Sequence, residues 1–136
     1  SGDGLERIYF FVKKKLGATK ITKQIDSSKE KSALISKYRK KDKVCKETFK
    51  IFARIYAKAC RNFSLAALCF SGLYIAGGIA MKNLDIFNKE FTEEFKKNFR
   101  MESVLKQIPI FIIKNYDVGL YGSALAAVLS KEDIKN

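Results

Sequence analysis

Residues 62–83 read NFSLAALCFSGLYIAGGIAMKN, and the way this stretch divides decides the fold. From Phe63 to Met81 it holds 19 residues without a charge. A helix of that length spans a bilayer. Ser64, Ser71, Gly72, Gly77 and Gly78 dilute the run, however, and LYIA at 73–76 reads as a strand rather than more helix. The division that fits is a helix ending near Ser71–Gly72, a strand ending at about Ala76, and a new helix after Gly77 and Gly78. Paired glycines between strand and helix let bare backbone approach a ligand, and a helix start offers N–H groups to an anion. The pair is neither a GxGxxG fingerprint nor a phosphate loop of the GxxxxGK[ST] type, so a tight turn is the plain alternative.

Upstream, Cys45, Phe49, Phe52, Tyr56, Ala59, Phe63, Ala66 and Phe70 step by 4, 3, 4, 3, 4, 3 and 4. That seam predicts one helix over 43–71, roughly 40 Å long. Lys46, Lys50, Arg54, Lys58 and Arg61 fall off the seam, so its first half is amphipathic. FSLAALCF at 63–70 is apolar all round and is expected to be buried on every side. Residues 3–16 predict a helix with Leu5, Ile8, Tyr9, Val12 and Leu16 on one face, Asp3 as cap and Gly17 as stop. Between them, 18–42 is polar and basic. Thr22 is expected to cap one short turn, and Ser27 or Ser28 a helix with Ala33, Leu34 and Tyr38 as its narrow apolar stripe.

Downstream, 85–99 predicts an amphipathic helix with Phe87, Phe91, Phe95 and Phe99 at every fourth position. IPIFII at 108–113 reads as a second buried strand, with Pro109 near its start where a missing N–H is tolerable. GLYGSALAAVL at 119–129 reads as a small-residue helix able to pack closely on a sheet. Two short apolar strands separated by helices imply an α/β fold, a parallel sheet covered on both faces, and one domain over 1–136. Two strands make a poor sheet alone, so the rest of the sheet is expected to be missing or supplied by another chain, and open strand edges favour self-association or a homodimer.

The 136 residues contain no His, which excludes His-based catalysis and His metal ligation. Cys45, Cys60 and Cys69 form no CxxC pair and read as thiols of a reducing compartment. The net charge of +13 is lopsided: residues 1–62 hold 18 Lys/Arg against 6 Asp/Glu, the remainder 9 against 8. The stretch RKKDKVCK at 39–46 is therefore the candidate for a second reading, a small basic nucleic-acid-binding module. No zinc or RNA-binding motif accompanies it, and a solvated lysine-rich surface accounts for it as well. Glu90, Glu93 and Glu94 alternate with Lys89, Lys96 and Lys97, a solvated face rather than a catalytic pair. In DVG at 117–119, Asn115 or Asp117 is expected to cap the last helix.

Taken together, SGDGLERIY at 1–9, the stretch from Asn62 through Gly78, IPIF at 108–111 and GLYGSALAA at 119–127 resemble, in order and spacing, the C-terminal part of bacterial-type glucokinases. Asp3 stands where that family usually has Pro. The resemblance implies the helix-rich C-terminal portion of an actin-like (ribonuclease H-like) ATPase domain. It further implies transfer of a phosphoryl group from ATP, with Mg2+, to the 6-hydroxyl of glucose in cytoplasmic glycolysis. By the same resemblance Gly77 and Gly78 are the nucleotide-binding residues; the diluted apolar run argues against a membrane, and the lysine-rich surface ranks nucleic acid below ATP and glucose as a partner. The family's phosphate loop, its Asp general base and its sugar-binding residues precede the segment matched by SGDGL. This chain is thus expected to be a segment without a catalytic residue, an excised or truncated piece, and inactive by itself.

Overall fold

The computed structural model describes residues 2–133. Its elements run α1 (Gly2–Leu16), α2 (Lys20–Asp26), α3 (Lys31–Tyr38), α4 (Lys43–Ala67), β1 (Leu73–Ile75), α5 (Gly78–Lys82), a 3-10 turn (Leu84–Ile86), α6 (Lys89–Lys96), α7 (Glu102–Leu105), β2 (Ile110–Ile112) and α8 (Val118–Asp133). This is a helix-rich α/β arrangement in which β1 and β2 pair in parallel, Leu73 opposite Ile110 and Ile75 opposite Ile112.

Helix α4 is the axis of the structure. Asp42 starts it: one carboxylate oxygen accepts from the N–H groups of Val44 (2.9 Å) and Cys45 (3.0 Å), and the other accepts from the Thr19 hydroxyl at 2.7 Å. These bonds satisfy N–H groups that a helix start otherwise leaves without partners. Burial pushes the Asp42 carboxyl up, but the hydrogen bonds from Thr19, Cys45 and Val44 outweigh it and hold the group below its ordinary value. Thr19 also caps α2, where it and Thr22 form a reciprocal capping box. The expected cap, Thr22, is therefore the inner half of the box.

Two apolar clusters form along α4. In the first, Leu5, Tyr9 and Val12 of α1 meet Ile25, Ile35, Val44, Phe49 and Phe52. The Tyr9 hydroxyl donates to the Thr22 carbonyl at 3.2 Å and to Asp26 at 3.1 Å, tying α1 to α2. In the second, Ala57 and Cys60 meet Leu73 and Ile75 of β1, Phe91 and Phe95 of α6, and Leu105 and Ile108. Tyr56 and Phe87 pack against both.

Several expectations change. Helix α4 ends at Ala67, not near Ser71, because Leu68 adopts a left-handed conformation at φ 48°. The 63–70 stretch is not buried all round: Ser64 faces inward, while Phe63, Leu68 and Phe70 are exposed. The uncharged run is broken by that turn, by Gly72 and by β1, and among the described residues no helix is long and apolar enough to cross a membrane. Gly72 sits at φ 128°, and a Cβ there would come within 2.8 Å of the Phe111 ring. In α3 the buried residue is Ile35 and Ala33 is exposed; Glu30, not Ser27 or Ser28, holds the cap position and makes no side-chain cap. The phenylalanine helix is shorter than expected: Asn88 caps α6 by accepting from the Phe91 N–H, Phe91 and Phe95 are buried, and Phe99 lies beyond it in full exposure. Leu16 is likewise exposed. The sheet has one covered face, carrying Leu73 and Ile75, and one open face, carrying Tyr74 and Phe111. Helix α8 does not pack down, and its residues 119–130 are all exposed.

Candidate functional site: a glycine-lined cleft

The strand-to-helix junction forms as the sequence predicts. β1 ends at Ile75, Gly77 occupies the cap position, and α5 begins at Gly78. The Gly77 carbonyl accepts the first helical bond from Met81 N–H at 3.1 Å. Gly77 has φ 112° and ψ 162°, a conformation essentially reserved for glycine. Among the described residues, a Cβ placed on Gly77 would meet nothing within 4 Å, while one on Gly78 would lie 3.8 Å from Tyr116 Cε1. Backbone shape, rather than crowding, therefore demands glycine at 77.

This junction forms one wall of a cleft of about 430 Å3. Ala76, Gly77, Gly78, Ile79 and Ala80 line that wall; Phe52, Ile55, Tyr56 and Ala59 of α4 and Gly4 and Ile8 of α1 complete the lining. Segments 1–9 and 74–80, far apart in sequence, thus share one surface. Among the described residues the lining has no Asp, Glu, Lys or Arg. Among the described lining residues the one ionisable side chain is Tyr56, whose hydroxyl is pushed up, first by burial and then by the neighbouring Cys60. Such a cleft offers flat apolar contact and main-chain polar groups, and none of the described side chains lining it is a carboxylate or amine suited to act as a general base. Sequence reasoning singled out Gly77 and Gly78 but read Tyr56 and Ala59 as seam residues of the core. Only their 3–4 periodicity was visible, and it does not say that one end of the seam stops at a cleft.

The basic stretch 39–46 takes another role. Arg39 pairs with Asp85 at 2.8 Å and Lys40 with the same carboxylate at 3.5 Å. Arg39, first by hydrogen bonding, holds the Asp85 carboxyl below its ordinary value despite partial burial. Asp42 and Cys45 are buried. Lys46, Lys50 and Arg54 face Glu90, Glu93 and Glu94 across a second groove of about 900 Å3, so the basic wall looks onto an acidic one. Arg61 donates to the carbonyls of Glu94 (3.1 Å) and Lys97 (2.6 Å), closing the C-terminal end of α6. Glu93 pairs with Lys89 at 3.8 Å, as the alternating charges predict. The acidic wall opposes the approach of a polyanion to this groove. At the far end, the Asn115 side chain accepts from Asp117 N–H and the Asp117 carbonyl accepts from Tyr121 N–H, both at 2.9 Å, a turn that opens α8.

The comparisons with known proteins agree with one another. The family model described as Glucokinase matches residues 1–130. A glucokinase of Nostoc sp. is 33% identical over 143 residues, covering 93% of this chain and 42% of its own length. One from Colwellia psychrerythraea is 33% identical, covering 91% of this chain and 38% of its own. Another from Nostoc punctiforme is 42% identical over 89 residues, covering 65% of this chain and 26% of its own. No solved structure matches. The chain thus spans about a quarter to two fifths of the curated relatives it matches. It belongs to the glucokinase family and corresponds to the C-terminal part of a bacterial-type member.

Proposed function

We propose that the glycine-lined cleft forms the adenosine side of the ATP site in a glucokinase that transfers a phosphoryl group from ATP to the 6-hydroxyl of glucose. The observation that carries this reading is the junction itself. Gly77 holds a backbone conformation that only glycine adopts readily, beside open space, on an uncharged wall facing Phe52 and Tyr56. A purine and ribose suit that lining: apolar side chains offer van der Waals area to the base, and a backbone without Cβ atoms admits the sugar closely. Bound ATP supplies the phosphoryl group. This chain's part is to bind and orient it, since among the described residues the cleft lining has no carboxylate to take the hydroxyl proton.

The fit to Mg2+ is different. Among the described residues no group of three His, Cys, Asp or Glu side chains is placed to hold a metal ion. We therefore assign no residue of this chain to the magnesium of the reaction, and no step is routed through it. The remaining elements of the proposal follow from family membership: a single domain of the actin-like ATPase type, and a place in cytoplasmic glycolysis. Three free cysteines, two of them buried, accord with a reducing compartment.

The test is kinetic. In the whole glucokinase, Gly77→Val should raise the KM for ATP far more than the KM for glucose. Equal increases in both would count against the adenosine-site role.

A further inference from the structure

Tyr9 and Tyr56 both sit within the helical packing, and their hydroxyls fare differently. Tyr9 is fully buried, and its hydroxyl has two acceptors, the Thr22 carbonyl and Asp26. Tyr56 is half-buried on α4, and among the described residues its hydroxyl makes no hydrogen bond. Nor is its oxygen sealed from outside. Among the described residues the sealed side-chain polar atoms without a partner belong to Arg39, Arg61 and Ser64. The space open to Tyr56 is the glycine-lined cleft, whose lining it joins.

The ring itself is held. Phe52, Phe87 and Phe91 surround it at centroid distances of 5.6, 5.9 and 6.1 Å, the last two edge to face. Three aromatic neighbours fix the ring plane and so aim the hydroxyl, and a tyrosine placed in this way ordinarily has a partner for its O–H. A fixed ring with an unpaired hydroxyl at a cleft is preorganised for a ligand. Among the described lining residues, Tyr56 is the one whose side chain can hydrogen-bond at all.

The shape of the cleft indicates which part of a nucleotide the hydroxyl meets. Ile55, 51% exposed, marks the open side. Tyr56 packs against both apolar clusters and marks the inner one. A purine whose ribose lies at the bare backbone of Gly77 and Gly78 turns inward the edge furthest from its sugar. In adenine that edge carries the 6-amino group, a hydrogen-bond donor. Burial pushes the Tyr56 hydroxyl up, so near neutral pH it stays protonated, with a lone pair free to accept.

We infer that Tyr56 is a specificity-determining residue of the nucleotide site, its hydroxyl oxygen accepting a hydrogen bond from the 6-amino group of adenine. The inference rests on the adenosine reading of the cleft and adds to it the group that reads the base. A purine without the amino group leaves that hydroxyl unpaired, and a site built to pair a substrate N–H discriminates against the analogue that lacks it.

Tyr56→Phe removes one oxygen and keeps the ring on which Phe52, Phe87 and Phe91 pack. The experiment compares the whole glucokinase with this variant, using ATP, 2′-deoxy-ATP and the triphosphate of purine riboside, which lacks the 6-amino group. In the parent enzyme the purine riboside triphosphate should have a KM about 3- to 10-fold above that of ATP. Tyr56→Phe should raise the KM for ATP and for 2′-deoxy-ATP by the same factor of about 3 to 10, and leave the KM for purine riboside triphosphate and for glucose unchanged. Equal increases for ATP and purine riboside triphosphate would overturn the proposal, since a role in packing alone moves both. So would an increase for ATP without one for 2′-deoxy-ATP, which places the hydroxyl on the ribose, and so would no change with any nucleotide. Gly77→Val tells the two readings apart. If it raises the KM for ATP while Tyr56→Phe does not, the role of Tyr56 alone is refuted; if neither substitution does, the cleft is not the adenosine site.

Discussion

Replacing Gly77 by Ala isolates the backbone demand at the cleft. Gly77 lies at φ 112° and ψ 162°, where a residue with a Cβ is strained by about 1–3 kcal/mol. Since an added Cβ meets nothing within 4 Å among the described residues, no steric cost adds to this, and Ala and Val should behave alike. Gly78 is the internal control. It has no positive φ, and its added Cβ would sit 3.8 Å from Tyr116 Cε1, an ordinary contact. Gly78→Ala should therefore be neutral or stabilise the chain by up to about 1 kcal/mol through the unfolded state. In urea unfolding of the isolated chain, followed by helical circular dichroism, Gly77→Ala should lower the midpoint by about 1 M, given slopes of about 1–3 kcal/mol/M. If the strained junction relaxes instead by moving its backbone, the loss appears in nucleotide affinity, where 1–3 kcal/mol corresponds to roughly 5- to 150-fold. The reasoning is refuted if Gly77→Ala leaves both stability and ATP affinity unchanged, or if Gly78→Ala costs as much as Gly77→Ala.

Asp42→Ala removes two N–H acceptors at the start of α4 and the Thr19 partner, and should destabilise the chain by about 2–3 kcal/mol, while Asp42→Asn, itself a good cap, should cost less than half of that. The Asp42 carboxyl is held below its ordinary value in the folded chain, so its contribution is complete above the unfolded value of about 4 and is lost as pH falls through the folded one; the Asp42→Ala variant should lose less stability than the parent over that acid range. Burial pushes the Cys60 thiol up to about 11, and burial together with the Asp42 carboxylate pushes Cys45 up to about 12. At pH 8 both should therefore react with iodoacetamide far more slowly than the half-exposed Cys69, as peptide mass spectrometry would show; equal labelling of Cys60 and Cys69 would contradict the packing around α4. Purified alone, the chain should show no glucose-dependent ATP consumption, since among the described residues its cleft lining carries no carboxylate to accept the hydroxyl proton.

Local rules made much of this chain legible. The seam from Cys45 to Tyr56 predicts the buried face of α4 because successive residues on a helix return to one side every 3–4 positions, whatever packs there. Gly77 and Gly78 mark a strand-to-helix junction for an equally local reason, the φ 112° that a side chain would strain. The resemblance carried by SGDGL, the stretch from Asn62 through Gly78, IPIF and GLYGSALAA pointed to the family that the comparisons then bear out.

Other features depended on what lies across from each residue, which periodicity does not contain. FSLAALCF and the 119–129 helix are as apolar as any core segment, yet Phe63, Phe70 and Leu125 are exposed because the described residues put nothing against them. Ile35 rather than Ala33 is buried because α3 is turned by its contact with α1 and α4. Asp42 and Cys45 lie in a run of lysines but face inward, one capping α4 and the other packed beneath it. Sequence alone thus determined the face of α4 from Cys45 to Tyr56 and the glycine junction, which short-range geometry dictates. Only the tertiary structure brought Gly4, Tyr56 and Gly77 onto one cleft, since residues 4–8, 52–59 and 76–80 meet only through long-range packing.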